Sequence, residues 1–386
     1  MKVIQSPFQT IKCVPIKMWD PNLDEGALEQ AMNLSVLPFI FRWIAVMADG
    51  HKGTGMPIGG VIATKGVIIP NAVGVDIGCG MIAVKTSIQH IDVDVLKKIM
   101  GRVRELVPVG FNHHTSQQTW QGFDNAPDIT IIQQQLDSAR KQLGTLGGGN
   151  HFIEIQKGDD DHIWLMIHSG SRNFGFKTAK EYHNKAKFLC EKWYSNIPTD
   201  ELAFFPIESK EGKEYYEAMK YCLEFAFANR QQMMRHLLNA TQEFIPTCNM
   251  LDEINIHHNY AIFEHHYGQN VIVHRKGATK ASIGLRGIIP SSMGSSSYIT
   301  EGLGNPESFE SCSHGAGRKM GRNVAKKSLN LVEEQQKMEG IVHSLRNVAD
   351  LDEAPGAYKN IDDVMKNQTD LTKILVCLKP LAVIKG

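Results

Sequence analysis

Glycine and histidine fall together at the ends of short apolar runs, and this coincidence constrains the fold more than any other feature of the chain. Residues 47–60 read MADGHKGTGMPIGG, 71–80 NAVGVDIGCG, 144–154 GTLGGGNHFIE, 168–172 HSGSR and 311–318 SCSHGAGR. Strand-end loops are where a rigid scaffold presents reactive groups. Glycine there lets the backbone approach a ligand closely or take positive φ. Strand-like runs cover 43–47, 60–69, 81–86, 152–155, 163–167, 271–274 and 297–300. Helical spacing of apolar residues covers 93–106, 128–143, 174–193, 212–240, 316–329 and 332–342. Strands dominate the first 170 residues and helices cluster later, without the regular alternation of a doubly wound parallel sheet. The expected class is therefore α+β. The polar, aperiodic stretch from about 111 to 128 reads as a surface loop.

Composition excludes several classes. Apolar residues at 42% and charged residues at 21% predict a globular chain rather than a disordered one. The longest near-apolar stretch, 36–48, is short and carries Arg42, so no membrane-spanning helix is expected. Residues 1–13 lack the apolar segment of a secretory signal. Seven cysteines without a CxxC pair argue against a disulfide framework and for buried thiols in a reducing cytoplasm. Lys plus Arg equals Asp plus Glu at 41 each, so net charge announces no nucleic-acid partner, although a local basic patch suffices for one.

The loops carry the chemistry. Asp76 and Cys79, three apart and flanked by Gly74, Gly78 and Gly80, can converge on one point through a tight turn. The same residues also suit a turn with a capping Asp and a buried thiol. Histidines tilt the balance: His151 precedes an apolar strand, His168 ends one, and His257 and His258 stand together before Asn259. Carboxylate, imidazole and a thiolate suit Mn, Fe or Zn, while HExxH, Cys₄ and EF-hand patterns are absent. A thiolate shared between two ions would let five side chains hold a pair, as phosphoryl-transfer enzymes do. His314, in SCSHGAGR, precedes a helical pattern, so it is expected near a helix N-terminus that favours anions, with Arg318 able to pair a phosphate. It can act as a nucleophile toward phosphate. Taken alone, the segment suits a capping loop with a hydrogen-bonded histidine better. P-loop, dinucleotide and kinase motifs are missing.

Assembled, these segments resemble the RtcB family of GTP-dependent RNA ligases, which act in tRNA splicing and RNA repair. The matching stretches are HKGTGMPIGG, GVDIGCGM, LGGGNHFIEI, HSGSRNFG, HHNY, HRKGA, SCSHGAGR and the terminal VIKG, from about Pro38 to Gly386. The resemblance implies a single domain over 1–386, with mixed sheets and a central metal and nucleotide pocket. It implies metal ligands at Asp76, Cys79, His151, His168 and His258. Cys79 would bridge two Mn2+ ions, with Asp76 and His151 on one and His168 and His258 on the other. His258 is chosen over His257 because the family ligand directly precedes the Asn. His314 matches the guanylated histidine. Asn150, Phe152, Glu154, Ser292, Ser297, Gly315, Gly317 and Lys385 would surround the nucleotide, with Glu154 and Lys385 reading the guanine edge. Arg172, Arg275, Lys276 and Arg318 are the expected RNA phosphate contacts; without the resemblance, Arg275 and Lys276 read as a solvated strand end.

The implied reaction joins an RNA 3′-phosphate or 2′,3′-cyclic phosphate to a 5′-hydroxyl, using GTP and Mn2+ through a histidine–GMP and an RNA-3′-pp-5′-G. Broken RNA and GTP are the expected partners; the sequence names neither the particular RNA nor an activating protein. Many relatives flank the first-loop Asp with Pro and Val, where this chain has Ala48 and Gly50 around Asp49, and Ser291 replaces a common Gly. These changes bear on substrate preference, so a repair-specialised paralogue fits too. Two other readings are a binuclear phosphodiesterase or cyclic phosphatase without guanylylation, and a non-catalytic RNA-binding protein. The complete metal and nucleophile set disfavours the last.

Overall fold

Strands buried along most of their length build two large sheets, with two further two-stranded pairings, and the long strands end where the Gly/His loops begin. The computed structural model describes residues 1–4 and 13–386, so part of the N-terminal stretch read above for a secretory signal lies outside them. One sheet has six strands in the order Lys2–Ile4, Ile16–Met18, Ile40–Thr54, Met56–Thr64, Gln269–Lys276 and Asn259–His266. The other has seven, in the order Met250–His257, Gly80–Thr86, Ile163–Ser169, Phe152–Gly158, Thr372–Lys385, Ser297–Gly302 and Arg286–Ile289. Its two edge strands approach each other through the Arg286–Asp252 ion pair, Nη2 to Oδ1 2.9 Å, so the sheet curls toward closure. Nearly all pairings are antiparallel; Ile16–Met18 runs parallel to Ile40–Thr54. The mixed α and β architecture agrees with the expected class.

The helix Lys210–Phe244 is the central prop. Ser209 caps it by accepting from the Gly212 N–H, satisfying one of the orphan donors of its first turn. Its buried stripe, including Cys222, Ala226, Met233 and Leu237, packs between two apolar clusters. Among the described residues no helix is long and apolar enough to cross a membrane, and no disulfide forms.

The helix expected over 93–106 forms as Val93–Leu106, and that over 128–143 as Thr130–Gln142. Two expectations fail in instructive ways. The helix expected from 316 begins only at Arg322, because Gly317 sits at φ 74° and the chain from 315 to 321 stays a loop against Asp49. The run 60–69 splits into Met56–Thr64 and Val67–Ile68 around Gly66 at φ 68°. Strand Thr372–Lys385 escapes a pattern search because Pro380 lies inside it; a register shift between Pro380 and Ala382 absorbs the missing donor.

Candidate active site

Register puts the metal-ligating types side by side. In the seven-stranded sheet His168 pairs with Met81 on one neighbour and with Phe152 on the other, and His257 pairs with Gly80. Cys79, His168, His151 and His258 therefore gather at one end of four adjacent strands. The His258 N–H donates to the Cys79 carbonyl at 2.9 Å, fixing the turn after His257. Cys79 Sγ lies 3.2 Å from His168 Nε2 and 3.5 Å from His151 Nε2, and His168 Nε2 lies 3.4 Å from His258 Nε2. His151 Nε2 is 3.1 Å from Asp76 Oδ2. His257 turns away, its Nδ1 lying 3.0 Å from the Gly78 carbonyl.

Hydrogen bonding decides which nitrogens are bare. A carbonyl only accepts, so Nδ1 of His151 donates to Leu146 O at 2.9 Å and Nδ1 of His168 donates to Asn150 O at 3.1 Å. The His168 ring then turns an Nε2 lone pair toward the thiol, while His151 Nε2 lies between the thiol and the Asp76 carboxylate. Burial drives the His168 and His258 pKa well below the usual value, so neither ring carries a second proton. A thiol, a carboxylate and three imidazoles thus converge, and Asp76 Oδ1 and His258 Nδ1 have no hydrogen-bond partner among the described residues. A cation is the natural complement of that donor set, and Cys79, His151 and His168 present ligand atoms all within 4.8 Å of one another. Burial and the Asp76 carboxylate raise the Cys79 thiol well above its usual value, so ionisation there calls for a bound cation. Gly170 is part of the cradle: a Cβ on it would lie 2.3 Å from Asp76 Oδ1.

His314 stands beside this cluster, its ring centroid 4.7 Å from that of His258. It follows strand Ser311–Ser313, eight residues before the helix that starts at Arg322, which corrects the expectation of a helix N-terminus. The backbone N–H groups of His314 and Gly315, at 3.1 and 3.2 Å, are taken by Asp49 Oδ2, so the anion they hold is a carboxylate of the chain itself. The same oxygen meets His314 Nδ1 at 2.6 Å. Asp49 is fully buried; burial works to raise its pKa, but His314 overrides it and holds the carboxyl low. Nδ1 is therefore the nitrogen that keeps a proton, and in the neutral ring the lone pair is on Nε2. Sequence reading noted Asp49 only for its neighbours and missed this role; nothing local to DGH marks a carboxylate that reaches a histidine 265 positions away.

A cavity of about 990 Å³ opens over His314. Asn150, Phe152, Glu154, Ser292, Gly315, Gly317, Arg318 and Lys385 all line it, whereas Ser297 does not. Ser297 is buried behind the wall, accepting from Ser291 N and Gln156 Nε2, both at 3.2 Å. Ser292 pairs with Ser295, Oγ to Oγ 3.0 Å. Lys385 Nζ lies 5.5 Å over the Phe152 ring and 3.6 Å from Glu353. Glu353, unmentioned in the sequence reading, also accepts from Arg318 Nη1 and Arg322 Nε at 3.1 Å, collecting three cations along one wall.

The expected RNA contacts divide. Arg318 faces the cavity. Arg172 opens its helix at φ 60° and spends its guanidinium on Thr145 Oγ1 and Gly110 O, at 3.0 and 2.9 Å, outside the cavity wall. Arg275 is corrected: it is fully buried, donating to Glu264 at 2.7 and 3.1 Å, to Ser311 Oγ at 2.8 Å and to Phe309 O at 2.9 Å, so no donor faces outward. Lys276 is corrected likewise. Its ammonium donates to Asn71 O at 3.0 Å and to Thr54 O, and burial lowers its pKa to about 7. Both residues brace the site from behind rather than meeting RNA.

Arg230 was also missed. It is fully buried on the central helix and donates to Gly78 O at 2.9 Å, Ser169 O at 3.0 Å and Asn255 Oδ1 at 2.8 Å. One side chain thereby ties together the ends of three ligand-bearing strands. Arg230→Met is expected to leave those acceptors unpaired and to lower the unfolding free energy by roughly 3 kcal/mol in denaturant melts. A helical stripe read from sequence cannot distinguish this arginine from a solvated one.

A family model described as "tRNA-splicing ligase RtcB" matches residues 30–386. The chain is 38% identical to a protein of Escherichia coli K12 named "RNA-splicing ligase RtcB", with 98% of each chain covered. It is 31% identical to a "tRNA-splicing ligase RtcB" of Thermococcus kodakarensis, covering 94% of this chain and 91% of that one. It is likewise 31% identical to an "RNA-splicing ligase RtcB homolog 2" of Entamoeba dispar, covering 94% and 84%.

Proposed function

This chain belongs to the RtcB family of RNA ligases, and on that premise we propose that it seals a 3′-phosphate or 2′,3′-cyclic phosphate RNA end to a 5′-hydroxyl end, with GTP and Mn2+. The observation that carries the reading is the Nε2 of His314, left bare by Asp49 and set beside a convergent cluster of thiol, carboxylate and imidazoles. The domain is the whole chain, 1–386, and the setting a reducing cytoplasm.

In the first step His314 Nε2 bonds to the α-phosphorus of GTP and the bond to pyrophosphate breaks. Asp49 holds Nδ1–H in line and stabilises the positive charge that develops on the ring. Two Mn2+ ions on Asp76, Cys79, His151, His168 and His258 would neutralise charge growing on the phosphoryl oxygens. GMP then passes to the RNA 3′-phosphate, and the 5′-hydroxyl of the second strand displaces it. Arg318, Asn150 and Ser292 are the candidates for phosphate and ribose, and Gly315 and Gly317 keep the wall free of side chains. Incubation with Mn2+ and α-labelled GTP should leave an acid-labile, alkali-stable label on the protein. No label on manganese-loaded protein, with cyclic ends opened but never joined, would favour the hydrolase instead.

Glu154 adds a pH dependence. Burial pushes its carboxyl up to about 8, against the pull of Lys385 and Gln156. The guanine edge offers N–H donors, so the bound form of Glu154 is the carboxylate. Binding therefore drives off a proton wherever the free group is protonated. Nucleotide affinity of the manganese-loaded protein should rise by up to about tenfold per pH unit below 8 and level off above it. Titrations at pH 6, 7, 8 and 9 check this, and Glu154→Gln should flatten the slope.

A further inference from the structure

We infer that His51 receives the 5′-hydroxyl of the incoming RNA strand and disfavours a 5′-phosphate in its place. The inference rests on the ligase reading above and assigns a residue to its sealing step. Asp49 carries two imidazoles. Its carboxylate takes Nδ1 of His314, and its backbone carbonyl takes Nδ1 of His51 at 3.0 Å. A carbonyl cannot donate, so His51 Nδ1 bears the proton and Nε2 is a lone pair. Among the described residues no hydrogen bond to that Nε2 forms, and the ring lines the cavity that His314 lines. Burial, with His314 and Lys359 adding to it, lowers the His51 pKa to about 4, so the ring stays neutral and accepting throughout the physiological range.

The rest of that wall points the same way. Glu154, Phe152 and Lys385 reach the cavity from the seven-stranded sheet, while His51 and Lys52 come from strand Ile40–Thr54 of the six-stranded sheet. Asp24, which caps helix Glu25–Ser35, holds the Lys52 N–H at 3.1 Å and lines the cavity beside His51. A bare lone pair next to a carboxylate accepts from a hydroxyl and repels a phosphate dianion. Lys52 remains to meet the phosphate on the 3′ side of the same nucleotide. In the step itself the 5′-oxygen bonds to the RNA 3′-phosphorus and the phosphoanhydride bond breaks. GMP leaves with that electron pair, and the hydroxyl proton is held by His51 Nε2 and passed to water.

The test isolates sealing by supplying RNA that already ends in 3′-pp-5′-G together with a 5′-hydroxyl strand. GTP labelling of His314 is measured on the same protein. His51→Leu should slow sealing on the order of 100-fold more than it slows labelling. His51→Gln, whose amide can donate to Asp49 O and turn its oxygen to the cavity, should recover most of that loss. Sealing and labelling that fall together, or sealing by His51→Leu within threefold of wild type, would overturn the assignment. Wild-type protein that takes no label from GTP would instead strike the ligase reading itself.

Discussion

His314→Ala is expected to abolish covalent guanylate entirely, and Asp49→Asn to slow its formation by about 10³-fold, with fold and bound metal intact. The two variants separate chemistry from placement. Alanine removes the nitrogen that attacks. Asparagine keeps the shape, and the two backbone N–H groups hold its carbonyl oxygen at the Oδ2 position, but it removes the negative charge that stabilises the imidazolium formed as His314 attacks. The 2.6 Å contact and the two backbone N–H groups on the same Asp49 oxygen make that site specific for an anion. The measurement is the initial rate of label transfer from α-labelled GTP, with manganese content and melting temperature as controls. A rate for Asp49→Asn within tenfold of wild type would show that the charge on Asp49 does not activate His314.

Cys79→Ala should lower bound manganese and cut both labelling and joining by about 10³-fold or more. The sulfur lies within 3.5 Å of two imidazole nitrogens, and a methyl group offers nothing to a cation there. The fold should tolerate the change, since the site is buried and the lost volume is small. Cys79→Ser is the sharper variant: it keeps size and polarity but supplies an alcohol that does not ionise, so metal content should still fall. Metal analysis of purified, manganese-equilibrated protein decides the matter. Full manganese occupancy in Cys79→Ala would remove the thiol from the metal centre.

The catalytic motifs were legible because each is a short run in which glycine, histidine and a reactive side chain must coexist. GVDIGCG shows its turn openly: Gly78 at φ 76° sits against the central helix, where a Cβ would come within 2.9 Å of Ala226 Cβ. The helix Val93–Leu106 was legible for a simpler reason, since Leu96, Ile99, Met100 and Val103 form a one-sided stripe. The N-terminal helix Glu25–Ser35 and the consecutive strands Met250–His257 and Asn259–His266, which join different sheets, were not. The helix is short, and the two strands are only partly buried, so none of them stamps a clear period on its sequence.

Residue types and their local spacing determined which groups are available here: a thiol, a carboxylate, several imidazoles and the glycines that let them approach. Only the tertiary structure decided their partners. It gave Arg275 to Glu264 rather than to RNA, drew Asp49 against His314 and strung Arg230 across three strand ends. A titratable side chain is the same in any sequence, but its charge state and direction depend on which donors, acceptors and low-dielectric walls surround it, and those come from residues far away along the chain.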